Sequence, residues 1–121
     1  MHRSGVVAQI NLAELQERAL RATSLLKAMS NSVRLLVLCQ LAEGEKSVGE
    51  LEQVVQVSQS ALSQHLALLR GRGLVRRRRA AQNIYYSLDG PEAPALLSAL
   101  YEVYCGKVSS MRRRRARPNR A

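Results

Sequence analysis

Between Ser47 and Arg72 the chain carries two short helical patterns separated by a turn of three or four residues, and this pairing limits the fold more than any other feature. Ser47-Val48-Gly49-Glu50 has the form of a capping box, in which the Ser47 hydroxyl takes the Glu50 amide while the Glu50 carboxylate reaches back. The helix it opens runs to about Val55. Gln56 and Val57 follow, and Ser58 is placed to cap a second helix that continues to about Arg70 or Arg72. Two helices of these lengths across so short a turn make a helix-turn-helix.

On the second helix Leu62, Leu66 and Leu69 fall on one side and Ser60, Ser63, Gln64 and Ala67 on the other, with Gln59 in the first turn. The outer side is polar, small and uncharged. A helix that met only water would carry Glu and Lys there; short hydroxyl and amide side chains let it enter a groove and bond base edges. An ordinary polar surface is the competing reading, and the residues that follow weigh against it. Gly71 and Gly73 close the helix, after which LVRRRR, AAQN and IYYSL read as two short strands joined by a tight connection. Four successive arginines suit a hairpin lying along phosphates better than a strand in a core. Arg77, Arg78 and Arg79 are therefore expected on the DNA backbone, with base reading by Gln59, Ser60, Ser63 and Gln64.

Charge points the same way. Nineteen lysines and arginines oppose nine acidic residues, a net +10 that suits a polyanionic partner. Sixteen of the nineteen are arginines, six of them between Arg70 and Arg79 and six between Arg112 and Arg120. The second cluster reads as a disordered, solubilising tail.

The 121 residues suit one domain, and 46% apolar content with three prolines suits a folded one. Apolar runs fall short of the roughly 18 residues that span a bilayer, so no membrane partner is expected. The first residues lack the apolar stretch of a secretory signal, which makes a cytoplasmic location the expectation. Three segments result: a flexible N-terminus (1–10), a winged helix-turn-helix domain for DNA binding and dimerisation (11–110) and a basic disordered tail (111–121).

Residues 11 to about 28 read as a helix with apolar positions at Leu12, Leu15, Ala19, Leu20 and Leu26. Ser30 and Asn31 are capping residues before SVRLLVLCQLAEG, apolar almost all round and so expected to be a buried central helix ending at Gly44. A last helix after Pro91 or Pro94 has two apolar flanks, Leu97, Tyr101, Cys105 and Val108 against Leu96, Leu100 and Val103. One domain has room for one of them, so a homodimer is expected, its twofold axis matching a palindromic operator. The fold class is then mostly α with a two-stranded β-hairpin wing, dimeric.

The strings KAMSNSVRLLVLCQL, QSALSQHLALLRGRGLV and IYYSL, in this order of elements, resemble the ArsR/SmtB family of winged-helix bacterial repressors over about residues 20 to 105. The resemblance implies a homodimer built through the first and last helices that holds double-stranded operator DNA until an inducer weakens it. Metal-sensing members place a cysteine-containing pair where this chain has SVGELEQVV, and Asp, His and Glu ligands along a last helix that here offers only Glu92 and Glu102. Neither metal site is expected, nor any cofactor. The usual wing-tip glycine is replaced, at Ala81.

Cys39 and Cys105 are the only two thiols, and their placement resembles the dithiol branch of the family that senses sulfide-derived persulfides and related oxidants. A thiolate attacks sulfane sulfur or an oxidant, the second thiol resolves the adduct, and a bridge joins two helices. Reactive sulfur species are the inducer this implies. The competing reading of each cysteine is a small buried hydrophobe. A basic architectural DNA- or RNA-binding protein with inert cysteines, and a metalloid-sensing repressor using the thiols, are the other functions open. An enzyme is not expected, because no His, Cys and carboxylate stand at a catalytic spacing. His65, beside Ala61 and Leu68, is expected at the edge of the core and not as a ligand.

Overall fold

The computed structural model describes residues 11–106, so the expected N-terminal segment 1–10, positions 107–110 of the expected domain and the basic tail 111–121 lie outside the described residues. Helix α1 (Leu12–Met29) starts where the Asn11 side chain accepts from the Glu14 amide at 2.8 Å. Glu14 in its first turn and Lys27 in its last each sit at the end of the helix dipole that favours their charge. Helix α2 (Ser32–Ala42) begins in the same way, Asn31 accepting from the Arg34 amide at 3.0 Å. The two helices meet at 94°. Arg34 braces that corner, donating from Nε to the Ala28 carbonyl at 2.5 Å and from Nη2 to the Lys27 carbonyl at 3.2 Å.

Strand β1 (Lys46–Ser47) leads directly into α3 (Val48–Val54), whose capping box is complete. Ser47 Oγ accepts from the Glu50 amide at 3.1 Å, and Glu50 Oε1 accepts from the Ser47 amide at 2.7 Å. Helix α4 (Gln59–Gly71) is capped by Ser58, whose Oγ accepts from the Ala61 amide at 3.1 Å. It ends in a Schellman motif. Gly73 takes φ +74°, its amide bonds the Arg70 carbonyl, and the Leu74 amide bonds the Leu69 carbonyl, both at 3.0 Å. Leu69 and Leu74, the pair such a motif brings together, are both buried.

Strands β2 (Val75–Ala80) and β3 (Asn83–Leu88) form the expected antiparallel hairpin. The structure adds a third strand: β1 pairs with the other edge of β3, Lys46 opposite Tyr86 and Ser47 opposite Tyr85, for the order β1-β3-β2. Two residues are too few to show the period of two, so the sequence gives no sign of it. Helix α5 (Glu92–Tyr104) follows Pro91, and Pro94 lies in its first turn, where no helical partner for its missing amide is needed.

One core joins Val37, Leu38 and Leu41 of α2, Leu51 of α3, Leu62, Leu66 and Leu69 of α4, Val75 and Tyr86 of the sheet, and Ala93 and Leu97 of α5. One expectation needs correction. Helix α2 is not buried all round: Leu36 is 43% exposed and Cys39 is exposed as well. On α1, Leu12, Leu15, Leu20 and Leu26 are also exposed, at 40–72%. Apolar content alone does not distinguish a core face from a face left open by the protomer. Helix α5 is mixed, with Leu97 buried and Tyr101 and Tyr104 exposed. No single helix among the described residues is long and apolar enough to cross a membrane.

Candidate nucleic-acid interface

Burial of Leu62, Leu66 and Leu69 turns one side of α4 inward, so Gln59, Ser60, Ser63, Gln64 and Ala67 face outward and exposed. The four polar side chains expected to read bases thus share one accessible surface. Between α3, α4 and the hairpin runs an open groove of about 410 Å³. Gln59, Ser63 and Arg70 of α4 form one wall and Arg77, Gln82 and Asn83 of the hairpin the other, with Glu52 of α3 at its side. Ser60 and Gln64 lie on the exposed face outside this groove. Residue spacing carries no sign of Glu52, Arg70, Gln82 and Asn83 as groove residues, because the groove exists only once α3 and the hairpin fold against α4.

Pleating splits the arginine run. Arg77 and Arg79 pair across the ladder with Tyr86 and Ile84, on the side that continues into the core, and Arg77 lines the groove. Arg76 and Arg78 pair with Ser87 and Tyr85 on the opposite side, where two acidic residues meet them. Arg76 stands 3.6 Å from Asp89. Arg78 makes a bidentate pair with Glu45, Nε to Oε2 and Nη2 to Oε1 both at 2.8 Å, and its guanidinium lies 4.7 Å from the centre of the Tyr85 ring. The Arg78 hydrogen bonds hold the Glu45 carboxyl below the usual carboxylate range, and Glu45 in turn raises Arg78. Arg77 and Arg79 have no acidic partner among the described residues. The sequence grouped Arg77, Arg78 and Arg79 together; the structure leaves two of them unoccupied and engages the third. At the tip Ala81 adopts φ 56°, the left-handed region that a glycine would occupy without strain.

The two thiols lie on elements that pack together, Cys39 in α2 and Cys105 as the C-terminal cap of α5, its amide donating to the Tyr101 carbonyl at 2.7 Å. Both are free and exposed. Partial burial pushes the Cys39 thiol up, and the charges of Cys105 and Glu43 push it further. Among the described residues no group of three or more His, Cys, Asp or Glu side chains stands together as a metal site. His65 is half-buried at the core edge, as expected, and its Nδ1 meets Arg34 Nη1 at 3.3 Å.

Residues 31–77 match the family described as "Bacterial regulatory protein, arsR family". The chain is 48% identical over 98 residues to the transcriptional activator HlyU of Vibrio cholerae, an alignment covering 81% of this chain and 91% of that protein. It superimposes on a structure of reduced HlyU from the same organism with a TM-score of 0.75, covering 78% of this chain and 99% of the other at 48% identity. The transcriptional repressor BigR from Xylella fastidiosa is similarly close, with a TM-score of 0.73 and 42% identity over 81% of this chain and all of that one.

Proposed function

This chain belongs to the ArsR family of bacterial regulatory proteins and is a DNA-binding transcriptional regulator, not an enzyme; we propose that it acts as a homodimeric repressor, released from operator DNA when sulfur bridges Cys39 and Cys105. The observation that carries this reading is the placement of two exposed thiols on two helices that pack against each other. A relative at 48% identity being described by its reduced state supports a redox readout in this chain. The open apolar side chains of α1 and α5 support a dimer.

On operator DNA, Gln59, Ser60, Ser63 and Gln64 address base edges, and Arg77 and Arg79 contact phosphates beside the groove. Arg78 commits two of its donors to Glu45 and sets the pose of the wing, leaving its remaining donors for phosphate.

The trigger chemistry balances. The Cys105 thiolate attacks the outer sulfur of a persulfide, RSSH, giving Cys105–S–SH and RS⁻. The Cys39 thiolate then attacks the sulfur bonded to the Cys105 side chain, giving the disulfide and HS⁻. If both thiols are persulfidated first, their condensation gives a trisulfide and hydrogen sulfide. Either bridge ties α2 to the end of α5 and shifts the surface across which two protomers meet. Two recognition helices must stand about 34–36 Å apart to enter successive major grooves, so a small shift at the interface misplaces them.

Cys39→Ser and Cys105→Ser test this reading. Each is expected to hold operator DNA within about twofold of the parent chain and to stay bound after persulfide treatment, as read by fluorescence anisotropy. Undiminished release in both variants would discard the thiol switch.

A further inference from the structure

Helix α4 is attached to the body of the protein chiefly by Leu62, Leu66 and Leu69, and apolar contacts of this kind are non-directional. They bury a face without fixing how far the helix slides or rolls on it. A directional contact at its middle does this: Arg34 of α2 reaches His65 Nδ1 with Nη1 at 3.3 Å. The same guanidinium donates to the Ala28 and Lys27 carbonyls at the end of α1. An arginine fork is planar and only donates, so in this contact His65 Nδ1 is the acceptor. One rigid group thereby fixes the ends of two helices and the centre of a third. His65 directly follows Gln64, so the polar joint and the exposed reading face are one residue apart. A second polar tie holds the other end of α4, where Arg72 Nη1 donates to Ser24 Oγ and, at 3.3 Å, to the Ser24 carbonyl of α1.

We infer that Arg34 and His65 are positioning residues for operator recognition: without touching DNA, their hydrogen bond sets the roll of α4, and with it the aim of Gln59, Ser60, Ser63 and Gln64. The inference rests on the reading of that outer face as the base-reading surface. Loss of the bond leaves the phosphate contacts of the wing in place, so its effect falls on sequence discrimination and spares non-specific affinity.

The test uses the full chain and two duplexes of about 30 base pairs, one selected by the parent protein from a randomised pool and one a scramble of the same composition. His65→Leu removes the acceptor, and Arg34→Lys keeps a cation at the end of α1 but loses the fork. Each is expected to lower the selected-to-scrambled affinity ratio about tenfold, the scale of losing a base contact, with scrambled-duplex affinity and salt slope unchanged. His65→Asn, which places an amide oxygen near the position of Nδ1, is expected to recover most of the ratio. Leu41→Ala, a core truncation on α2, is expected to lower Tm at least as much while keeping the ratio. A ratio within twofold of the parent in both joint variants overturns the inference, as does an equal loss in Leu41→Ala. If the parent chain itself selects no sequence, the base-reading premise fails, and the positioning role falls with it.

Discussion

Adjacent side chains on a strand point to opposite faces, and in β2 that alternation decides what each arginine does. Arg77 and Arg79 share the side of the groove and have no acidic partner among the described residues, whereas Glu45 and Asp89 neutralise Arg78 and Arg76 on the other side. Arg77→Ala is therefore expected to reduce the slope of log affinity against log salt by about one for each bound chain, the loss of one phosphate contact. Arg78→Ala should change it less; equal slopes in the two variants would refute the division. Burial acts on the Cys39 thiol as well. With Cys39 pushed above the ordinary thiol value of 9.0, its thiolate is scarce at neutral pH, and the Cys105 charge itself opposes its ionisation. Iodoacetamide is then expected to modify Cys39 slowly at pH 7.5, as read by peptide mass. The Cys39 rate should climb about tenfold per pH unit to beyond pH 9; a plateau below that pH would contradict the assignment.

Elements follow their caps here. Asn31, Ser47 and Ser58 start three helices through bonds to residues three positions on, which is why their starts could be read from the sequence within a residue or so. Contacts between distant residues could not. Glu45 meets Arg78 across 33 positions, and β1 is too short to show a strand pattern, so the clamp on the wing and the third strand emerge only in the folded chain. The outward face of α4 was legible because Leu62, Leu66 and Leu69 recur at helical spacing and turn inward together. By contrast, the open side of α2 looked like core, since exposed and buried leucines spell the same pattern. At the wing tip, Ala81 at φ 56° carries a cost of roughly 1–2 kcal/mol that glycine avoids. Glycine's larger unfolded-state entropy offsets part of this gain. Ala81→Gly is accordingly expected to stabilise the chain by up to about 1 kcal/mol in urea titration; a loss of stability would show that the tip is not strained.

For the whole molecule, the apolar side chains left open on α1 and α5 and the exposed thiols on α2 and α5 belong to one argument. A protomer that leaves Leu12, Leu20, Tyr101 and Tyr104 in water has surface for a second copy, and α5 links that surface to Cys105. On the proposed reading, a bridge between α2 and α5 acts on the spacing of two recognition helices and leaves the chemistry of their faces untouched. The most direct measurement follows operator occupancy and the peptide linking Cys39 to Cys105 on the same persulfide-treated sample, dose by dose. The account predicts that release and linkage rise together. A protein that leaves its operator with both thiols unlinked, or stays on it once they are joined, would contradict it.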